Sequence, residues 1–294
     1  MNDGEPLHLR IPARDRFALA ASLYQPQAGT RPDAVVLINP ATAVKRGFYD
    51  RFARFLADRG FAVVTYDYRG VGESRPTRLR GFAASMHEWG ERDLAGVIDW
   101  IAARFPESRL LVVGHSAGGQ LVGLADNNDR IRALLAVAAQ SGDWRLWPRP
   151  LRYALALLWY AAVPAATRLF GYLPGWLGIG EALPRGVALE WARWCRTEGY
   201  LVGGDGAGRR AGFARVTAPV LAYSFADDPY APAAAVDALL RWYVNAPRTH
   251  RHVTPAEAGV PAIGHFGFFR DRVRDTLWRE AAAWLRARSE GDAA

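Results

Sequence analysis

Short, fully apolar runs alternate with amphipathic stretches along most of the chain. "DAVVLINP" (33–40), "FAVVTYDY" (61–68), "RLLVVG" (109–114), "IRALLAVAAQ" (131–140) and "APVLAYSF" (218–225) are apolar, largely β-branched and of buried-strand length. Between them, 49–59 reads as a helix ended by Gly60, and 89–105 sets Leu94, Val97, Ile98 and Ile101 at helical spacing. At the front, "LHLRIP" and "FALAASLYQP" flank "ARDR" as the arms of a hairpin would. Toward the end come a helix over 233–243, a strand in "THRHVTP" and a closing helix over 272–286. Apolar strands that do not alternate are buried on both faces. The pattern therefore predicts an α/β fold, with a mainly parallel central sheet of about eight strands and helices on both faces. In such sheets the chemistry sits just past the carboxyl ends of the strands.

The alternation stops between Gly142 and Gly212. We expect a core formed by 1–141 and 212–294 and a helical cap insertion over 142–211. Six of the eleven tryptophans fall in that insertion: Trp144, Trp147, Trp159, Trp176, Trp191 and Trp194. Most are expected to pack the cap against itself, since large aromatics dominate small cores. The remainder would line a pocket for an apolar acyl or aromatic group. The most apolar stretch, "YALALLWYAAVPAA" (153–166), is shorter than the roughly 20 residues of a spanning helix. Pro164 interrupts it, and Arg152 and Arg168 flank it. A surface helix touching a membrane is the lesser reading of 155–163, because its polar face is thin.

The candidate chemistry follows the third of the apolar runs. Gly114-His115-Ser116-Ala117-Gly118 fits G-x-S-x-G, a nucleophile elbow, in the strand–turn–helix setting that the motif requires. Small neighbours permit a backbone tight enough to lift the Ser116 hydroxyl above the sheet, and the N-terminus of the following helix favours a nearby anion. A glycine-rich junction without chemistry is the competing reading. A serine needs a base, and the base an orienting acid. In this architecture the chain order is serine, acid, histidine. His250 and His252 alternate within a strand, whereas His265 lies in the loop "AIGHFGFF" before the last helix, so His265 is the expected base. The acid should follow "APVLAYSF". Asp228 is preferred because Pro232 opens the next helix four residues later, and Asp227 and Asp143 are the alternatives. An oxyanion hole would take the backbone N–H of Ala117 and one from the Asn39–Val44 loop, that of Ala41 or Thr42.

With these motifs in place, the chain resembles an α/β-hydrolase over nearly its whole length outside the insertion. "YDYRGVGES" (66–74) is similar to the D-x-R-G-x-G-x-S segment of many members, which implies a structural role for Asp67 and Arg69. "WGERDLAGVIDW", "GHSAGGQL" and "GHFGFF" together resemble a bacterial subgroup of predicted α/β-hydrolases. Where many members carry His-Gly at the start of the oxyanion loop, this chain has Asn39-Pro40, and Pro40 has no N–H and a fixed φ. The expected activity is cleavage of an ester, less readily a thioester or amide, with no metal or organic cofactor. Acyl transfer through the same triad and a non-catalytic binding protein on the same fold are the alternatives.

Composition adds limits. The formal charge of the 294-residue chain is +8, yet Lys45 is the single lysine and the arginines are dispersed without a run of five basic residues. Neither that pattern nor any motif matches a nucleic-acid binder. Cys195 is the single cysteine, so an internal disulfide and a multi-cysteine metal site are excluded. "MNDGEPLHLRIP" has no basic region followed by an apolar core, which leads us to expect a cytoplasmic protein.

Overall fold

Ten strands form in the computed structural model, which describes residues 5–26, 32–178 and 180–290; the outermost residues of the opening and of the polar tail lie outside these. They are β1 (Leu7–Pro12), β2 (Ala18–Tyr24), β3 (Ala34–Asn39), β4 (Ala62–Tyr66), β5 (Arg109–His115) and β6 (Ile131–Val137), then β7 (Tyr172–Leu173), β8 (Leu183–Pro184), β9 (Val220–Phe225) and β10 (Arg248–Val253). Eight of them make one sheet in the order β1-β2-β4-β3-β5-β6-β9-β10. β1 and β2 pair antiparallel with Leu7 opposite Leu23, and β2 meets β4 antiparallel; every other neighbour in this sheet is parallel. This is the α/β sheet that the apolar runs predict.

The strands hold because both faces are covered. All residues of β3, β4 and β9 are buried, and each fully buried Val, Leu or Ile is worth about 1.5–3 kcal/mol. Leu94, Val97, Ile98 and Ile101 are inward, as their spacing requires. Two of the expected helices carry a π-helical turn in their first part. The stretch 89–105 divides into a π-helical turn Trp89–Leu94 and an α-helix Ala95–Arg104, and the last helix into a π-helical turn Arg274–Trp278 followed by Arg279–Ser289.

Between β6 and β9 lie the helical run Leu151–Phe170, the helix Arg185–Arg196 and the helix Arg210–Arg215, with β7 and β8 paired antiparallel. Polar contacts tie this segment to residues just past the carboxyl ends of three strands. Glu181 N–H donates to the Ala43 carbonyl after β3 (2.9 Å), and the Tyr200 hydroxyl to Gln120 Oε1 after β5 (3.0 Å). Trp147 Nε1–H donates to the Pro229 carbonyl after β9 (2.8 Å). Trp159 and Trp191 pack together at 4.7 Å between ring centroids, and Trp194 lies 5.8 Å from Tyr200, as self-packing predicts; Trp176 is exposed.

The helical run departs from the sequence expectation. It is continuous over Leu151–Phe170, 20 residues, and Pro164 lies inside it. The π-helical turn Leu158–Ala162 just before Pro164 shifts the backbone hydrogen-bond ladder, so a residue without an N–H is accommodated there.

Candidate active site

β5 carries Ser116 to the centre of the sheet's carboxyl edge, between β3 and β6. Ser116 has φ 51° and ψ −116°, a backbone conformation that L-residues rarely adopt. Its N–H donates to the Val137 carbonyl (2.9 Å), which fastens the bend to β6. The small neighbours are required by close approach. A Cβ on Gly118 would come within 2.2 Å of the Asn39 carbonyl oxygen, and one on Gly114 within 2.6 Å of the Gly119 backbone. The helix after the bend spans only Ala117–Gln120 and continues as a 3-10 turn, Leu121–Leu124. So short an element has little macrodipole. The helix-end reading of the anion site is therefore corrected: the local N–H groups matter there, and a long helix does not stand behind them.

The three candidate acids, Asp227 and Asp228 past β9 and Asp143 past β6, separate. Asp228, whose side chain is fully buried, places Oδ2 2.8 Å from His265 Nδ1. Its Oδ1 accepts from the N–H groups of Tyr230 (2.8 Å) and Ala231 (3.2 Å). A carboxylate only accepts, so Nδ1 of His265 carries a proton, and the tautomer this selects for the neutral imidazole has its lone pair on Nε2. Asp227 faces elsewhere: its two oxygens accept from the Ile263 (2.8 Å) and Gly264 (3.0 Å) N–H groups and hold the loop that presents His265. Asp143 accepts from Arg145 N–H (3.1 Å) and Gly199 N–H (3.2 Å), within the helical segment. His250 and His252 lie on β10, as their alternation predicts, both bonded to Ser224.

One residue that sequence reasoning left aside joins these pieces. His115, fully buried, has Nε2 2.9 Å from the His265 carbonyl and Nδ1 2.9 Å from the Tyr49 hydroxyl. Burial, with the His265 imidazole beside it, holds its pKa well below the ordinary imidazole range, so the ring is neutral. A carbonyl cannot donate, hence Nε2 is the donor and Nδ1 accepts from Tyr49. Tyr49 in turn accepts the Ala41 N–H at 2.8 Å. The chain of bonds Ala41–Tyr49–His115–His265 ties the loop after β3 to the loop of the histidine. The ring centroids of His115 and His265 are 5.2 Å apart, which puts His265 beside the residue that precedes Ser116.

The same network engages one of the two oxyanion candidates, Ala41. Its N–H is spent on Tyr49, while among the described residues no hydrogen bond engages the N–H of Thr42. Asp67 and Arg69 are structural, as the resemblance implies. Asp67 accepts from Arg46 N–H (2.7 Å) and Nη1 (2.6 Å), and Arg69 pairs with Asp93 (2.6 Å) and Asp15 (2.7 Å). Burial raises Asp93 to about 6 despite that partner, whereas the hydrogen bond from Arg69 lowers Asp15 to about 2. A cavity of about 560 Å³ opens beside Ile131 and Val220, at the amino ends of β6 and β9 and far from this chemistry.

Comparison with known proteins agrees with this architecture. Residues 30–171 match the family model described as serine aminopeptidase, S33, just under half of the chain. Two curated Escherichia coli relatives, each named an uncharacterized 31.7 kDa protein in the traX-finO intergenic region, are 26% and 28% identical over 129 residues. Each match takes in 42% of this chain and 44% of the relative, so it spans less than half the length of those proteins. Among solved structures, a thermostable carboxyl esterase from Bacillus coagulans superposes with a TM-score of 0.66 at 13% identity. The esterase domain of a Rhodothermus marinus protein does so with 0.61 at 18%; both comparisons cover 97% of this chain and 99% of the other. At such identities the likeness is one of fold. With the sheet order, it gives this protein the α/β-hydrolase fold.

Proposed function

We propose that the protein is a serine hydrolase that cleaves carboxylic esters with an apolar portion, using Ser116, His265 and Asp228. The observation that carries this reading is the buried 2.8 Å bond between Asp228 and His265, whose ring lies 5.2 Å from that of His115, the residue before a serine in a strained bend. In the proposed reaction the Ser116 hydroxyl attacks the ester carbonyl while His265 Nε2 takes its proton. Asp228 holds the imidazole in the Nδ1–H tautomer and stabilises its charged form. The oxyanion is received by the N–H groups of Ala117 and Thr42, each worth about 3–4 kcal/mol in the transition state. The leaving alcohol takes the proton from His265. Water, deprotonated by the same imidazole, then releases the acid and restores the serine.

The helical segment 142–211 serves in this reading as a cap over the site, with Trp147 at its edge beside the loop of Asp228. The test is hydrolysis of nitrophenyl esters of rising acyl length, with an amino-acyl nitroanilide alongside for peptide-like cleavage. Turnover should rise beyond acetate and fall by about four orders of magnitude or more in Ser116→Ala and His265→Ala. A strict preference for acetate would sink the apolar pocket. Undiminished activity in Ser116→Ala would sink the triad.

A further inference from the structure

The most apolar 18-residue window of the helical run Leu151–Phe170 has a mean hydropathy of 1.3, yet only 17% of it is buried. Its inner face is docked: Trp159, Val163 and Thr167 are buried in the protein, with Trp159 against Trp191. The outer face is the unusual one. Leu157 (67% exposed), Tyr160 (53%) and Leu169 (70%) stand in solvent with Tyr153, and Trp176 (72%) adds to them just beyond the run. An ordinary surface helix shows polar residues on that side.

Charge says what would cover it. From Trp144 to Gly178 the chain contains Arg145, Arg149, Arg152 and Arg168 and no acidic residue. Arg145 is paired with Asp143, while Arg149 and Arg152 stand by the Tyr153 ring at 5.9 and 5.0 Å. Exposed leucines, tyrosines and a tryptophan, on a segment whose only charged side chains are arginines, match the headgroup layer of an anionic bilayer, where amphipathic rings and cations both find partners. The docked inner face keeps the helix on the protein, so it would lie in the interface rather than cross the membrane. The patch also starts at the rim of the candidate site. Trp147, four residues before the run, donates to the Pro229 carbonyl next to the exposed Tyr230, whose ring lies 5.5 Å from that of His265.

We infer that the outer face of Leu151–Phe170, with Trp176, docks this protein on anionic lipid surfaces. The inference does not depend on catalysis and is tested by binding alone. The full chain is floated with vesicles of phosphatidylcholine, with or without phosphatidylglycerol, at low and high salt. Light scattering of the free protein and a thermal melt accompany each variant. Wild type should float with the phosphatidylglycerol vesicles and less with the neutral ones, and high salt should weaken the interaction. Leu157→Glu/Tyr160→Glu should lose about tenfold or more in partitioning with an unchanged melt, because both side chains are exposed. Arg149→Gln/Arg152→Gln should remove the preference for anionic vesicles while keeping the fold. Failure of wild type to float with either vesicle overturns the proposal. So does equal flotation of the glutamate variant. A wild-type dimer that the glutamate variant converts to monomer, without flotation, would show that a second copy covers the face.

Discussion

Replacing each of the two adjacent aspartates by asparagine separates orientation of the base from support of its loop. In Asp228→Asn the amide has one acceptor where the carboxylate had two. Oδ1 faces two N–H donors, at 2.8 and 3.2 Å, so the amide oxygen takes that place and the NH₂ turns toward His265 Nδ1. Two donors cannot share the 2.8 Å gap, and the imidazole must present a bare Nδ1 and carry its proton on Nε2. An Nε2–H cannot take the serine proton. The loss expected for a wrong tautomer is about 10⁴ in kcat, or about 5.5 kcal/mol of activation free energy. The fold should change little, since shape and all three hydrogen bonds are conserved, the one to His265 with its direction reversed. In Asp227→Asn one of the bonds to Ile263 and Gly264 is lost while His265 keeps its acid, so the expected loss is about ten- to a hundredfold, through loop placement. Steady-state hydrolysis of one nitrophenyl ester by the three proteins, with urea melts to establish folding, decides the matter. Asp228→Asn within tenfold of wild type, or Asp227→Asn the more damaged of the two, would refute the reasoning.

Three further outcomes follow from the same geometry. Tyr49→Phe strips partners from the buried Ala41 N–H and His115 Nδ1, each costing about 1–3 kcal/mol; urea unfolding should show a loss of about 2 kcal/mol or more, and an unchanged midpoint would deny the network. Gly118→Ala brings a Cβ to 2.2 Å from the Asn39 carbonyl, so a loss of about 1–3 kcal/mol and lowered kcat are expected, and wild-type stability would contradict the close approach. His115 is neutral in the fold and takes up a proton below the ordinary 6.5 once unfolded, so stability is full above that pH and falls as pH drops toward the depressed native value. The slope should be about 1.4 kcal/mol per pH unit, read as the difference between wild type and His115→Asn in chemical melts, and identical pH curves would rule it out.

The strands were legible because burial on both faces demands unbroken apolar sequence, and β3, β4, β5, β6 and β9 all carry it. The elbow was legible because only small residues tolerate the approach of Gly118 to Asn39. Asp228 and Asp227 were harder to rank: one residue's step turns the side chain from the imidazole to the loop backbone, and both roles suit an aspartate. The contact of Ala41 with Tyr49 and of His115 with His265 joins residues 8 and 150 positions apart, and no local pattern encodes it. The exposure of Leu157 and Leu169 was hidden for another reason. An apolar helix reads alike whether protein, lipid or water lies against it, and only the packing of Trp159 and Val163 shows which side is covered.

Covalent capture of the serine tests the account most directly. A fluorophosphonate phosphonylates a serine whose hydroxyl has a working base beside it, and intact mass with peptide mapping locates the adduct. Wild type at neutral pH should gain a single adduct on Ser116, Ser116→Ala none, and His265→Ala only a slow trace. A folded wild-type protein that stays unlabelled, or is labelled at another residue, would contradict the assignment of Ser116 as nucleophile.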